Sequence, residues 1–325
     1  MNQTKARCRC GVTLVELLIV VSMIVILLAI ALPTLKLAME SRRTREASRM
    51  VNSYFYVAQS RAAELGRPVG VWIERDPKDP NQAYQLYLAE VPPPYSGDAF
   101  DTTAEIHHKD NASNPSGDDG LVKFNSDSFS ISLPILVQDG DAIRFNFKGP
   151  YYRLYNVPTT TGTGPYWVNI ENDDVPLPRG PALVSDPGVE VSYQILRQPI
   201  RTSANSIELP RNTIIDLRYS GIGGEGIEFE PSGASDTTPI IILFSPAGGV
   251  LSYSVQGTGL VRPAGPIHLL IGENVDTELD NLQNQENLWI SIGHASGSIT
   301  SSENLGGRLN QARRFARQAQ TLGGG

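Results

Sequence analysis

The sequence predicts an α+β protein: a long N-terminal helix, half membrane-spanning and half amphipathic, packed on a C-terminal domain of antiparallel β-sheet. Three observations carry this expectation. Residues 12–32 are apolar except for Thr13, Glu16 and Ser22. Beyond them Ala47, Met50, Val51, Tyr54, Ala58, Ala62 and Leu65 recur at helical three-four spacing. From Pro68 onward, apolar and polar residues alternate between clusters of Gly, Pro, Asn and Asp, which is strand-and-turn patterning.

The apolar run of about 21 residues makes a helix of roughly 30 Å, the thickness of a bilayer core. Length alone therefore allows a single span. Glu16 needs a further account, because placing a carboxylate in hydrocarbon costs roughly 2.5 to 3.5 kcal/mol even on lenient scales. A secretory signal would have a shorter core, no internal acid and a small-residue cleavage site behind it. Here Leu32 is followed by Pro33-Thr34-Leu35-Lys36-Leu37-Ala38-Met39-Glu40, which continues as helix. A simple anchor explains the length and leaves Glu16 unexplained. Pro33 removes one helical hydrogen bond and is expected to bend the axis.

Gly11 followed by Val12-Thr13-Leu14-Val15-Glu16-Leu17-Leu18-Ile19-Val20 resembles the N-terminal processing signal of type IV prepilins and type II secretion pseudopilins. The resemblance implies cleavage by a prepilin peptidase between Gly11 and Val12 and methylation of the new amino terminus on Val12. It also implies assembly roles for Glu16 and Pro33, which become the fifth and twenty-second residues of the mature chain. Val12 departs from the usual phenylalanine or methionine. In a fibre, the ammonium of one Val12 and the carboxylate of a neighbour's Glu16 would neutralise each other between packed helices. Lys5, Arg7 and Arg9 favour a cytoplasmic N-terminus, but Lys36, Arg42, Arg43, Arg45 and Arg49 put positive charge beyond the run as well. Orientation rests on the processing motif, which implies a single-pass inner-membrane protein with its globular domain in the periplasm or on the cell surface.

The amphipathic helix is expected to end at Gly66 and Pro68, as helices often do. Strands are expected at 68–74 and 84–91, forming a hairpin around 76–81. Further strands are expected at 129–137, 142–147, 152–157, 166–170, 189–196, 207–209, 213–219, 227–230, 240–244, 250–255, 268–272 and 288–292. The segment Ala58-Gln59-Ser60-Arg61-Ala62-Ala63-Glu64-Leu65-Gly66-Arg67-Pro68-Val69, with Leu209-Pro210 and Phe244-Ser245-Pro246-Ala247-Gly248-Gly249, resembles the GspH/FimT group of H-type minor pseudopilins. That likeness implies two antiparallel sheets beside the long helix, with insertions at 92–122 and 158–187. The expected organisation is a leader at 1–11, an assembly helix at 12–33, an amphipathic helix at 34–66, a β-rich domain at 67–302 and a basic helix or tail at 303–325.

The formal charge of −7 makes wrapping by nucleic acid unfavourable, and loss of Lys5, Arg7 and Arg9 with the leader makes the mature chain more acidic still. The two cysteines, Cys8 and Cys10, both lie in that leader. No cofactor or metal is expected. The four histidines lack metal-ligand spacing, and no G-x-S-x-G elbow occurs. Gly221-Ile222-Gly223-Gly224-Glu225-Gly226 matches G-x-G-x-x-G, but 227–230 alternates like a strand, where a dinucleotide site requires a helix. The acidic loops at 98–101, 118–120, 139–141 and 172–174 match no EF-hand and are expected to be solvated turns. The basic island Arg308, Arg313, Arg314 and Arg317 is either a solvated terminal helix or a contact for DNA phosphates or an acidic neighbour.

The expected function is a minor pseudopilin or pilin, a non-enzymatic structural subunit of a type II secretion pseudopilus or type IV pilus. Its partners would be other pilin-like subunits, the prepilin peptidase and the inner membrane. The alternatives are a DNA-binding pilin for uptake, and a membrane-anchored sensor or enzyme with no fibre role.

Overall fold

The computed structural model describes residues 14–99, 101–108, 120–125, 133–159, 165–171, 188–202, 206–254, 260–274 and 280–322, the side chains of 30–40 and 320–322 excepted. The chain begins with helix α1 (Leu14–Leu65), followed by the hairpin strands β1 (Val69–Arg75) and β2 (Gln82–Glu90). Next come β3 (Thr103–His108), β4 (Gly120–Phe124), the short helix α2 (Leu133–Leu136), β5 (Ala142–Phe145), β6 (Tyr152–Tyr155), β7 (Tyr166–Glu171) and β8 (Val189–Leu196). The chain then runs through β9 (Ile200–Arg201), β10 (Ile207–Glu208), β11 (Thr213–Ile222), β12 (Ile240–Phe244), β13 (Val250–Ser254) and β14 (Leu260–Val261). It closes with β15 (Ile267–Glu273), β16 (Leu288–Ile292), β17 (Ile299–Glu303) and helix α3 (Leu309–Leu322).

The expected α+β class, with one helix on one antiparallel sheet domain, is corrected. The molecule is mostly β and holds two separate sheets. One is an 11-stranded sheet in the order β14-β13-β12-β1-β2-β11-β15-β16-β17, with β9 and β10 also paired to β2. The other is a closed barrel in the order β3-β4-β7-β6-β5-β8. The barrel lies in the chain between β2 and β9, and the described residues of the two expected insertions, 92–122 and 158–187, include β3, the start of β4, and β7. Closure comes from the antiparallel pairing of β3 with β8, Thr103 opposite Ser192. Side chains fill the interior, among them Ile106, Val122, Phe124, Leu154, Val168, Ile170 and Tyr193, as in other small barrels.

The membrane-spanning part of the expectation is also corrected. Among the described residues, no helix is long and apolar enough to cross a membrane. The expected single-pass inner-membrane placement falls with it.

The large sheet is clad differently on its two faces, because successive strand residues point to opposite sides. Leu269, Ile271, Ile290 and Ile292 join the core with Ala47, Val51, Phe55, Ala58 and Ala62 of α1. Leu270 and Trp289, one residue out of phase, instead pack with Ala312 and Ala316 of α3. Phe55 meets Phe244 edge to face at 6.1 Å between ring centroids. Gly70 in β1 is required by close backbone approach, since a Cβ there would sit 1.8 Å from the Ile242 carbonyl oxygen.

The end of α1 follows from its residues. Gly66 takes φ 61°, the left-handed position that glycine reaches most cheaply, and Pro68 prevents continuation. Arg61 and Arg67 converge on the Glu90 carboxylate at 2.7 Å and 3.0 Å, tying the helix end to β2. The hairpin expected around 76–81 is present, with β1 and β2 antiparallel. Two expected strands are absent. Residues 133–136 form α2, whose Pro134 suits a helical first turn where a backbone donor is not needed, and 129–132 lie outside the described residues. Residues 227–230 form turns around a buried Phe229.

Candidate functional site

The N-terminal half of α1 is the most unusual surface on the molecule. Every residue from 14 to 29 is exposed, with Leu14 at 80% and Leu27 at 67%. The helix is apolar all round here, a pattern that in a finished assembly is buried. Continuous exposed apolar surface on this scale marks an interaction site, because single-chain proteins seldom leave more than a few hundred Å² uncovered. Glu16 lies in the first turn, where its negative charge complements the helix dipole. Ser22 removes its own hydroxyl from the apolar surface by donating to the Leu18 carbonyl at 2.8 Å. Gly11 and Val12 lie outside the described residues. Pro33 falls within α1, which runs through it as one helix.

The basic C-terminal island divides on inspection. Arg308, Arg314 and Arg317 are exposed, whereas Arg313 is 1% exposed. The Arg313 guanidinium donates to the carbonyls of Gly226 at 2.7 Å, Tyr219 at 2.7 Å and Gly223 at 3.3 Å. It also lies 5.7 Å from the Trp289 ring centroid. Burial pushes its pKa down to about 10, with the nearby Glu228 carboxylate acting in the opposite direction. Arg313 therefore holds α3 to the sheet and is not available to a phosphate, which corrects its expected place among DNA or partner contacts. Arg308, immediately before α3, and Arg314 and Arg317 on it remain exposed.

The same contact accounts for the glycine-rich loop. Gly223 and Gly226 present their carbonyls to Arg313, Asn310 reaches Glu225 at 2.9 Å, and a Cβ on Gly221 would lie 2.1 Å from the Gly226 carbonyl oxygen. No helix follows the loop, so it has no N-terminal amides to cradle a pyrophosphate. The glycines serve a helix-docking turn.

The other sequence candidates are structural where they are described. Asp98 accepts from the Tyr95 hydroxyl at 2.9 Å, and Asp139 from the Val157 amide at 2.7 Å. Asp141 accepts from the Gln138 and Gln198 amides at 2.9 Å and 2.6 Å. The acidic pairs at 118–119 and 173–174 lie outside the described residues. His107 sits 3.2 Å from Glu105, and His268 sits 2.8 Å from the Ser291 hydroxyl. Among the described residues no group of three or more His, Cys, Asp or Glu side chains could hold a metal ion.

Sequence reasoning missed a cleft of about 460 Å³ where the barrel meets the large sheet. Its walls combine residues from both units, Tyr151 and Arg153 from the barrel side and Leu243 and Leu260 from the sheet side. The one available signal was Pro92-Pro93-Pro94, a stiff junction immediately after β2.

Comparisons with family models, with curated proteins and with solved structures find no match to this chain. Nothing in them supports the secretion and pilus vocabulary that the processing motif suggested.

Proposed function

We propose that the chain is a pilin-like structural subunit of a fibre of the type II secretion pseudopilus or type IV pilus kind, matured by cleavage after Gly11. The supporting observation is the exposed, all-round apolar half of α1 with a single carboxylate in its first turn. Stacked side by side, such rods bury their apolar surface against one another. Each buried Val or Leu side chain then contributes about 1.5 to 3 kcal/mol. The carboxylate of Glu16 is tolerable in that bundle only beside a cation, and the amino terminus created at Val12 supplies one four residues away in sequence. The rest of the chain carries the rod: Arg61, Arg67 and Glu90 fix its far end, and the large sheet holds its second half.

Mass spectrometry of the protein from cells that contain a prepilin peptidase tests the cleavage, with a mature chain beginning at Val12 as the expected result. Glu16→Ala is expected to be cleaved normally and to be lost from the fibre fraction. Removal of one partner from a buried ion pair costs about 3 to 5 kcal/mol, enough to prevent incorporation. An intact Met1 terminus, or a Glu16→Ala chain that enters fibres as well as the parent, sinks the proposal.

A further inference from the structure

The cleft between barrel and sheet has the features of a ligand site, and it plays no part in the fibre reading. Its volume of about 460 Å³ lies within the range of small-molecule sites, roughly 300 to 1,000 Å³. Pro94, Tyr151, Leu243, Leu251 and Leu260 supply apolar walls. Leu251 and Leu260 remain 43% and 40% exposed, so these walls are not consumed by the core.

The charged lining is one-sided. Arg67, Arg153 and Arg197 line the cleft and, among the described residues, no Asp or Glu does, on a chain whose formal charge is −7. Arg67 is committed to Glu90 at 3.0 Å, and Arg153 lies 3.8 Å from Glu171. Arg197 belongs to none of the described ion pairs, although its charge acts on the buried Asp141 carboxylate. One of its terminal nitrogens donates to the Pro93 carbonyl at 3.2 Å, while its Nε is buried with no hydrogen-bond partner among the described residues. With three guanidinium side chains in its lining the cleft favours an anion, and a carboxylate is the group a guanidinium holds best, by charge-assisted bonds.

We propose that this cleft binds a small amphiphilic carboxylate, its apolar body between Leu243, Leu251 and Leu260 and its carboxylate on Arg197. The inserted barrel thereby gives the chain a receptor site, because neither unit alone supplies both the leucines and the arginine pair Arg153 and Arg197.

Calorimetric titration of the purified full-length chain with decanoate, and with decyltrimethylammonium as a probe of equal tail and opposite charge, provides the test. Decanoate is expected to bind one saturable site, with the cation at least about tenfold weaker. Arg197→Met is expected to weaken decanoate about tenfold, the usual scale for losing one charged hydrogen bond. Leu260→Asp, at an exposed position that tolerates the change, is expected to abolish binding by repulsion while the circular dichroism spectrum stays that of the parent. Equal binding of cation and anion overturns the proposal, as does decanoate binding unchanged in both variants, which would place the ligand on the exposed half of α1. Displacement of decanoate by a leucine-rich peptide at lower concentration overturns it in favour of a peptide occupant.

Discussion

The two halves of α1 belong to one continuous helix, yet they obey different physics. Residues 14–29 are apolar on every side and bare, whereas the second half carries a stripe, Ala47, Val51, Phe55, Ala58 and Ala62, that is wholly buried. The second half is specified by its own chain: its small residues let the helix approach the sheet closely, and Gln59 and Tyr56 donate to the carbonyls of Gly248 and Ile299 at 2.7 Å and 2.9 Å. The first half has no stripe to orient it, and none of the described residues buries it. A helix without a preferred face suits a bundle in which it meets neighbours on all sides.

This contrast is tested most directly by truncating one apolar side chain in each half. Phe55→Ala removes a fully buried ring from the interface with Phe244 and is expected to cost about 3 to 5 kcal/mol in urea unfolding. Leu18→Ala, at a position 59% exposed, is expected to change stability by no more than about 0.5 kcal/mol. A large loss for Leu18→Ala would mean that the bare half is covered within the single chain, and the contrast between the halves would collapse.

How legible these elements were in the sequence depends on whether the informative contact is local. The stripe from Ala47 to Ala62 and the stop at Gly66 and Pro68 are local patterns, and the helix follows them. The hairpin around 76–81 is equally local. The barrel escaped because β3 and β4 pair across a segment of ordinary loop composition, and because closure depends on β3 meeting β8 some 85 residues away, Ala104 opposite Val191. Position 313 shows the same limit. Its charge is visible in the sequence, but its burial is set by Trp289 and by the carbonyls of Gly223 and Gly226, none of which is near it in the chain. The length of residues 12–32 suggested a membrane span; among the described residues no helix meets that requirement.

Helix α3 sharpens the comparison, since it docks by a buried cation where α1 docks by a buried ring. Arg313→Ala strands the carbonyls of Tyr219, Gly223 and Gly226 beneath the helix and is expected to cost about 2 to 3 kcal/mol, less than Phe55→Ala. Arg314→Ala, one residue along on the exposed side, is expected to stay within about 0.5 kcal/mol. Equal effects of the two substitutions in thermal unfolding would remove the distinction between a docked and a solvated arginine.

A graded effect concerns acid. His268, beneath α3, has its pKa lowered to about 3 first by burial and then by the positive charges of Arg313 and Arg317. In the unfolded chain the same imidazole titrates near 6.5. Above that pH it is neutral in both states and contributes nothing to the pH dependence. Between about 6.5 and about 3 the unfolded chain takes up a proton that the folded chain refuses, so stability falls as pH is lowered. The expected slope is about 1 kcal/mol per pH unit between pH 6 and 4. His268→Asn keeps a polar partner for Ser291 while removing the titration, and its unfolding free energy should lose that slope. If His268→Asn keeps the parental slope, the sensitivity arises elsewhere, and the buried His268 is not its source.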